Sequence, residues 1–175
     1  MWQYWSHFKY IWIHKYYVFR ECLNKGLIWR GITHDLSKFR PSEFTGYSNY
    51  FFHTDGTRRN LREFPPTSSQ NEKFQQAWCR HQNRNDHHWN YWVVDSHGSH
   101  SNPFYKEHEC VVMTPGAMVE MVCDWRGAAK AQGTDNAVAY YLKNRERIML
   151  HPFVRTWVEV ELGVDKLGRS LLQLG

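Results

Sequence analysis

The stretch Gly31-Ile32-Thr33-His34-Asp35-Leu36-Ser37-Lys38-Phe39 sets an imidazole beside a carboxylate, with a lysine three residues further on. Leu27, Ile28, Ile32, Leu36 and Phe39 recur at helical spacing around it and predict one helix over 27–39 with that stripe toward the core. An adjacent His and Asp offer one nitrogen and one oxygen donor. That set suits Mn, Fe, Co, Ni or Zn better than Mg or Ca, whose sites are built from oxygen alone. An isolated His-Asp pair is most often a surface or capping dipeptide, so its weight depends on what the rest of the chain brings to it.

Upstream, Trp5, Phe8, Ile11, Trp12, Tyr16 and Phe19 fall at three- and four-residue intervals and predict a helix from Trp2 to Cys22 that buries them. Asn24-Lys25-Gly26 supplies its stop. If the two helices form an antiparallel hairpin about Lys25, His14 lies eleven residues before the pivot, and His34 and Asp35 lie nine and ten after it. At about 1.5 Å per residue both sets stand about 15 Å from the turn and face each other. His14 is therefore a candidate ligand rather than a cap on the aromatic stripe.

Downstream, Arg40-Pro41-Ser42-Glu43 opens a helix to about His53, with proline at the first position and an acid in the first turn. The next stretch carries Asp55-Gly56, Arg58, Arg59, Arg62 and Pro65-Pro66, and reads as a solvated loop. Ser69 with Glu72 has the form of a capping box. The helix it opens runs through Phe74, Ala77, Trp78 and His81 into Arg84-Asn85-Asp86-His87-His88. Three histidines within eight residues are too polar for an ordinary core face. On a continuous helix His81, Arg84 and His88 share a side, and His87 is rotated away unless Asn85-Asp86 breaks the helix.

Residues 93–113 are turn-rich and predict a loop near the mouth of the site. Thr114-Pro115 then starts a helix to about Ala131. In it Asp124 stands among Met118, Val119, Met121, Val122 and Trp125, where a carboxylate is costly to bury unless it is paired or binds a metal. Asp124 is the next candidate ligand. Thr134 or Asp135 caps a helix to about Leu150, His151-Pro152 opens a last one over Phe153 to Leu162, and 163–175 reads as a tail. The expectation is an all-α, single-domain bundle over 1–162 with six or seven helices, its longest loops at 54–68 and 93–113.

At 175 residues the chain suits one domain. A net charge of +5 and a pI of about 9.0 favour anionic partners, though the excess forms no long basic tract. Cys22, Cys79, Cys110 and Cys123 lie far apart without a CxxC pair, which excludes a zinc ribbon and a dithiol redox motif and fits reduced thiols in the cytoplasm. No run of about 18 apolar residues occurs, so no membrane-spanning helix is expected. The aromatic N-terminal segment is interrupted by His7, Lys9, His14 and Lys15 and does not read as a signal peptide. No glycine loop of the GxxxxGK[ST] type and no Ser or Cys triad motif is present.

The order His14, His34-Asp35, the cluster at 81–88, then Asp124 resembles the pattern of the HD-domain metal-dependent phosphohydrolase superfamily, and His34-Asp35-Leu36-Ser37-Lys38 is similar to its HD-x-x-K segment. More closely, His14-Lys15-Tyr16, His34 to Phe39 with Pro41-Ser42-Glu43-Phe44, and Asn85 with His87-His88-Trp89 resemble an uncharacterised family of small phage and bacterial proteins. The resemblance implies an all-helical fold and hydrolysis of a phosphate ester, with a nucleotide-like substrate suggested by the cationic balance and the aromatic content. It implies metal ligands His14, His34, Asp35, Asp124 and, from the crowded cluster, His81 and His88. Lys38 and Arg84 would face phosphate, and His87 would orient a ligand or pass a proton, with the choice of ligands among His81, His87 and His88 left open by their crowding. The pattern fits one ion or two. The competing readings are a nucleic-acid-binding protein without catalysis, which leaves Asp124 in its apolar helix unexplained, and a metalloprotein whose ion only stabilises the fold.

Overall fold

The longest helix, α1 (Trp2–Asn24), lies along α5 (Pro115–Ala131), and Gly127 permits the approach. A Cβ at Gly127 would stand 2.4 Å from Val18 Cγ2 and 2.7 Å from the Val18 backbone nitrogen. The computed structural model describes residues 2–95, 108–134 and 136–164. The chain is all-α there, with α2 (Ile28–Thr33), α3 (Pro41–Phe51), α4 (Ser68–Arg84), α6 (Ala137–Asn144) and α7 (Pro152–Leu162) completing seven helices among the described residues. Two short strands, β1 (Val93–Asp95) and β2 (His108–Cys110), pair antiparallel with Val93 opposite Cys110.

Helix α5 divides the interior. On one side Met118, Met121, Val122 and Trp125 join Tyr141 of α6 and Val154 and Val158 of α7 in an apolar core. Toward α1, α2 and α4 the same helix sends Glu120 and Asp124, and the interior there is built of histidines and carboxylates. The apolar half supplies the hydrophobic free energy that holds the polar half in place. Thr114 caps α5 with Pro115 behind it, as expected from the sequence.

Several expectations are corrected. The inward face of α1 is His7, Ile11, His14, Val18 and Cys22, whereas Trp5, Trp12 and Tyr16 are each more than half exposed. Apolar rings occur on more than one face of this helix, so periodicity alone could not select the buried one. The helix expected over 27–39 breaks after Thr33: Asp35 takes a left-handed conformation at φ 56°, and Leu36–Phe39 forms a separate 3-10 turn. Ile28, Ile32 and Leu36 consequently stay exposed. Lys15 steadies the break by donating from Nζ to the carbonyls of Ile32 at 3.1 Å and His34 at 2.5 Å.

The capping box of α4 is formed by Thr67 and Gln70, two residues earlier than Ser69 and Glu72. Asn136, not Thr134, caps α6, which ends at Asn144; Asp135 lies outside the described residues. The stretch 93–113 is a loop only in part, because its flanks pair as β1 and β2; residues 96–107 lie outside the described residues, as do 165–175 of the expected tail. Val164 is buried against the core, so packed chain continues past Leu162.

Candidate metal centre

Breaking α2 lets His34 and Asp35 point into the bundle together; on a continuous helix successive side chains diverge by about 100°. His14 reaches the same point from α1 and Asp124 from α5. His14 Nε2 stands 3.2 Å from His34 Nε2, 3.4 Å from Asp35 Oδ2 and 3.1 Å from Asp124 Oδ1. His34 Nε2 is 3.2 Å and 3.4 Å from the same two oxygens. Donors held about 2.0–2.1 Å from a tetrahedral ion lie about 3.3 Å apart, and these five separations fall close to that spacing.

The other oxygen of Asp35 faces a second group. Oδ1 lies 3.3 Å from both His81 Nε2 and His87 Nε2, and His88 Nε2 lies 2.8 Å from His81 Nε2. Within each set of four donors all the atoms fall inside 4.8 Å of one another. Asn85 ends α4, and the turn after it brings His87 in beside His81 and His88. His87, for which the sequence left open a place among the ligands or an orienting or proton-passing role, sits in the donor set itself.

Buried polar atoms almost always find partners. Here both oxygens of Asp35, His87 Nε2 and His14 Nδ1 are buried without a hydrogen bond of proper geometry among the described residues. Three of these atoms belong to the convergent donors, which fits a cation shared among them. These are buried His and Asp clusters that could hold a metal ion.

A family model matches residues 3–163. The chain belongs to DUF5662, a family of unknown function. No curated protein and no solved structure matches it.

Around the donors of this DUF5662 chain stand two carboxylates that the sequence reading did not assign to the site. Glu120 Oε1 lies 2.8 Å from His34 Nδ1 and 3.2 Å from His87 Nδ1, and Glu43 Oε2 lies 3.0 Å from His81 Nδ1. Each thus fixes the ring orientation and leaves Nε2 for the centre. Arg30 holds Glu120 through Nε at 2.5 Å and also pairs with Asp86. Ser37 donates to Glu43 at 2.8 Å, and Asn85 donates to Ser37 at 2.9 Å. The available signal for Glu120 was its place one helical turn before Asp124, on the same face.

Lys38 and Arg84 part company. Lys38 Nζ is 2.5 Å from Asp35 Oδ2, at the edge of the centre. Arg84 instead donates to Glu43 Oε1 at 2.6 Å, so it supports a supporting residue and does not face the donors as expected. Electrostatics follow this layout. Burial would push the Asp35 carboxyl up, but His34, Lys38 and His81 pull it well below the usual range. Burial opposes and hydrogen bonds from His14 and His34 produce a lowered Asp124. Against the same opposition, His34 and His87 bring Glu120 to about 2. Burial, with His87 and His81 beside it, holds His88 well below an ordinary imidazole, in the neutral form a ligand needs.

Two pockets reach the donors. One, of about 320 Å³, is lined by His14 and Lys38; a smaller one, of about 150 Å³, is lined by His87, His88 and Asp124. Among the described residues no helix is long and apolar enough to cross a membrane.

Proposed function

We propose that this protein is a metal-dependent phosphohydrolase acting on a nucleotide-like phosphate ester. One observation carries the reading: Asp35 turns one oxygen toward His14 and His34 and the other toward His81 and His87, so its carboxylate would contribute to both sets of candidate ligands. His14, His34, Asp35 and Asp124 would hold one ion, and Asp35, His81, His87 and His88 the other. Mixed imidazole and carboxylate donors favour Mn, Fe, Co, Ni or Zn. Such ions supply Lewis acidity and bring the pKa of water at the site toward about 7.

The chain's own residues provide the rest. Lys38 keeps its charge, since burial is outweighed by the neighbouring Asp35, Tyr47 and Asp124, and its ammonium can neutralise charge that grows on a phosphoryl group. Glu120 and Glu43 hold three imidazoles in fixed orientation, so no reorganisation is needed when phosphate arrives. The resemblance of the ligand order to HD-domain phosphohydrolases supports the same class.

A purely structural metal site is normally closed, with every position taken by protein. Two pockets lined in part by these donors weigh against that reading. The test is metal analysis of the purified chain with a panel of nucleotides, cyclic nucleotides and short oligonucleotides assayed with each metal. Expected are two transition ions per chain, lost together in Asp35→Ala, and cleavage of at least one ester. Unchanged metal content in Asp35→Ala rejects the centre. Full occupancy with no cleavage, joined to tight binding of single-stranded nucleic acid without metal, would favour the binding-protein alternative.

A further inference from the structure

Two residues that line the larger pocket carry buried polar groups with no hydrogen-bond partner among the described residues. His7 is 2 % exposed with neither ring nitrogen hydrogen-bonded, and Tyr47 is 6 % exposed with its hydroxyl unpaired. Both line the pocket that also touches Lys38 and His14. Rings of Phe44, Tyr47 and Phe52 box the His7 imidazole at 5.0, 6.0 and 5.9 Å. Burial, with Lys38 nearby, lowers its pKa to about 3, so it stays neutral and offers one donor and one acceptor. A leucine or phenylalanine would fill the same space without the cost of stranding polar atoms. Such groups make sense when something else hydrogen-bonds to them.

The remaining walls fit a flat ring. Tyr10, Phe51 and Phe52 contribute aromatic surface, and the guanidinium of Arg58 stands 5.1 Å from the centre of the Tyr10 ring at the exposed edge. Bases stack on such faces whatever their identity, while hydrogen bonds at the edge choose among them. At about 320 Å³ the pocket lies at the lower end of the range of about 300–1,000 Å³ for small-molecule sites, enough for one nucleoside and too little for two.

We infer that His7 and Tyr47 read the hydrogen-bonding edge of a nucleobase, and that the pocket takes the base and sugar of a single nucleotide whose phosphate lies against Lys38 and the His14 side of the donors. This rests on the phosphohydrolase reading for the position of the phosphate, but not for the base. A phenyl ring of similar size satisfies the walls and leaves His7 and Tyr47 unpaired, so the pocket discriminates a nucleotide from a simple aryl phosphate.

Free nucleosides separate the two claims, because they bind the pocket and cannot be hydrolysed as esters. Saturation-transfer NMR with adenosine, guanosine, cytidine, uridine and thymidine, and with phenol as control, should show at least one nucleoside bound and phenol not. Affinity should fall at least fivefold in His7→Leu and in Tyr47→Phe, with the melting profile and metal content retained. Tyr47→Phe removes a single oxygen and serves if His7→Leu fails to fold. Absence of nucleoside binding, or equal binding in both variants, overturns the inference even if phosphate esters are cleaved. Nucleoside binding lost in the variants sustains it even if no ester is cleaved, and then the phosphohydrolase reading alone fails.

Discussion

One oxygen of Glu120 serves two histidines from opposite donor groups: Oε1 is 2.8 Å from Nδ1 of His34 and 3.2 Å from Nδ1 of His87. His34 belongs with His14 and Asp124, whereas His87 belongs with His81 and His88. The carboxylate therefore couples the two halves from outside, as Asp35 does from within.

Glu120→Gln tests that coupling. The amide keeps the shape but loses the charge that pairs with Arg30 and orients both imidazoles. Loss of such an outer partner typically weakens metal binding about 10–100-fold. Competition with a calibrated chelator should show both ions weakened together. An effect on one ion alone, or on neither, would contradict the coupling.

Lys38→Ala should separate binding from turnover. Its ammonium pairs with Asp35 but supplies no donor to a cation, so metal stoichiometry should hold. Loss of a preorganised charge beside the phosphoryl group should lower kcat by about 10²–10³. Equal turnover in the variant would remove Lys38 from the catalytic account.

Gly127→Ala probes the frame. The added methyl meets backbone as well as side chain at Val18, with Val18 Cα only 2.9 Å away, so α1 and α5 must separate. Overpacking of this kind costs about 1–3 kcal/mol. Urea unfolding should report that loss, and metal affinity should drop with it, because the same two helices carry His14 and Asp124. Retained stability would mean that the helices slide apart freely.

Acid should weaken the fold partly through His7. Its folded pKa of about 3 lies below that of an exposed histidine near 6.5, so the unfolded chain takes a proton that the folded one refuses. This contribution is complete above pH 6.5 and is lost as pH falls through 6.5 toward 3, at up to about 1.4 kcal/mol per pH unit. Denaturant titrations between pH 7 and 5 should give a shallower decline for His7→Leu than for the native chain. Parallel declines would refute the buried neutral imidazole.

His14, His34, Asp35, the histidines of 81–88 and Asp124 were legible in the sequence because residue types expensive to bury stood inside helical patterns, and the structure brings them together. Thr114 and Pro115 marked their helix start for the same local reason. What escaped depends on tertiary geometry. Glu43 looks like an ordinary first-turn acid until Ser37, His81 and Arg84 are seen around it. Trp5 and Trp12 look like core until α1 turns His7 and His14 inward instead. The break after Thr33 has no glycine or proline to announce it, since Asp35 itself takes the left-handed turn.

Asp35 is the only non-glycine residue with positive φ among the described residues, in a conformation that costs an L side chain about 1–2 kcal/mol. The helix ends at Thr33, His34 is already non-helical, and the left-handed turn then falls on the residue whose carboxylate is shared. A chain bred only for heat resistance would mend this kink, drawing a strong helix former into position 35 and running α2 on toward Phe39. Such a repair would harden the scaffold and dissolve the junction between the two donor groups in one step. Thermostabilised descendants of this protein should therefore be sorted by what occupies position 35 before anything is concluded from their silence in an assay.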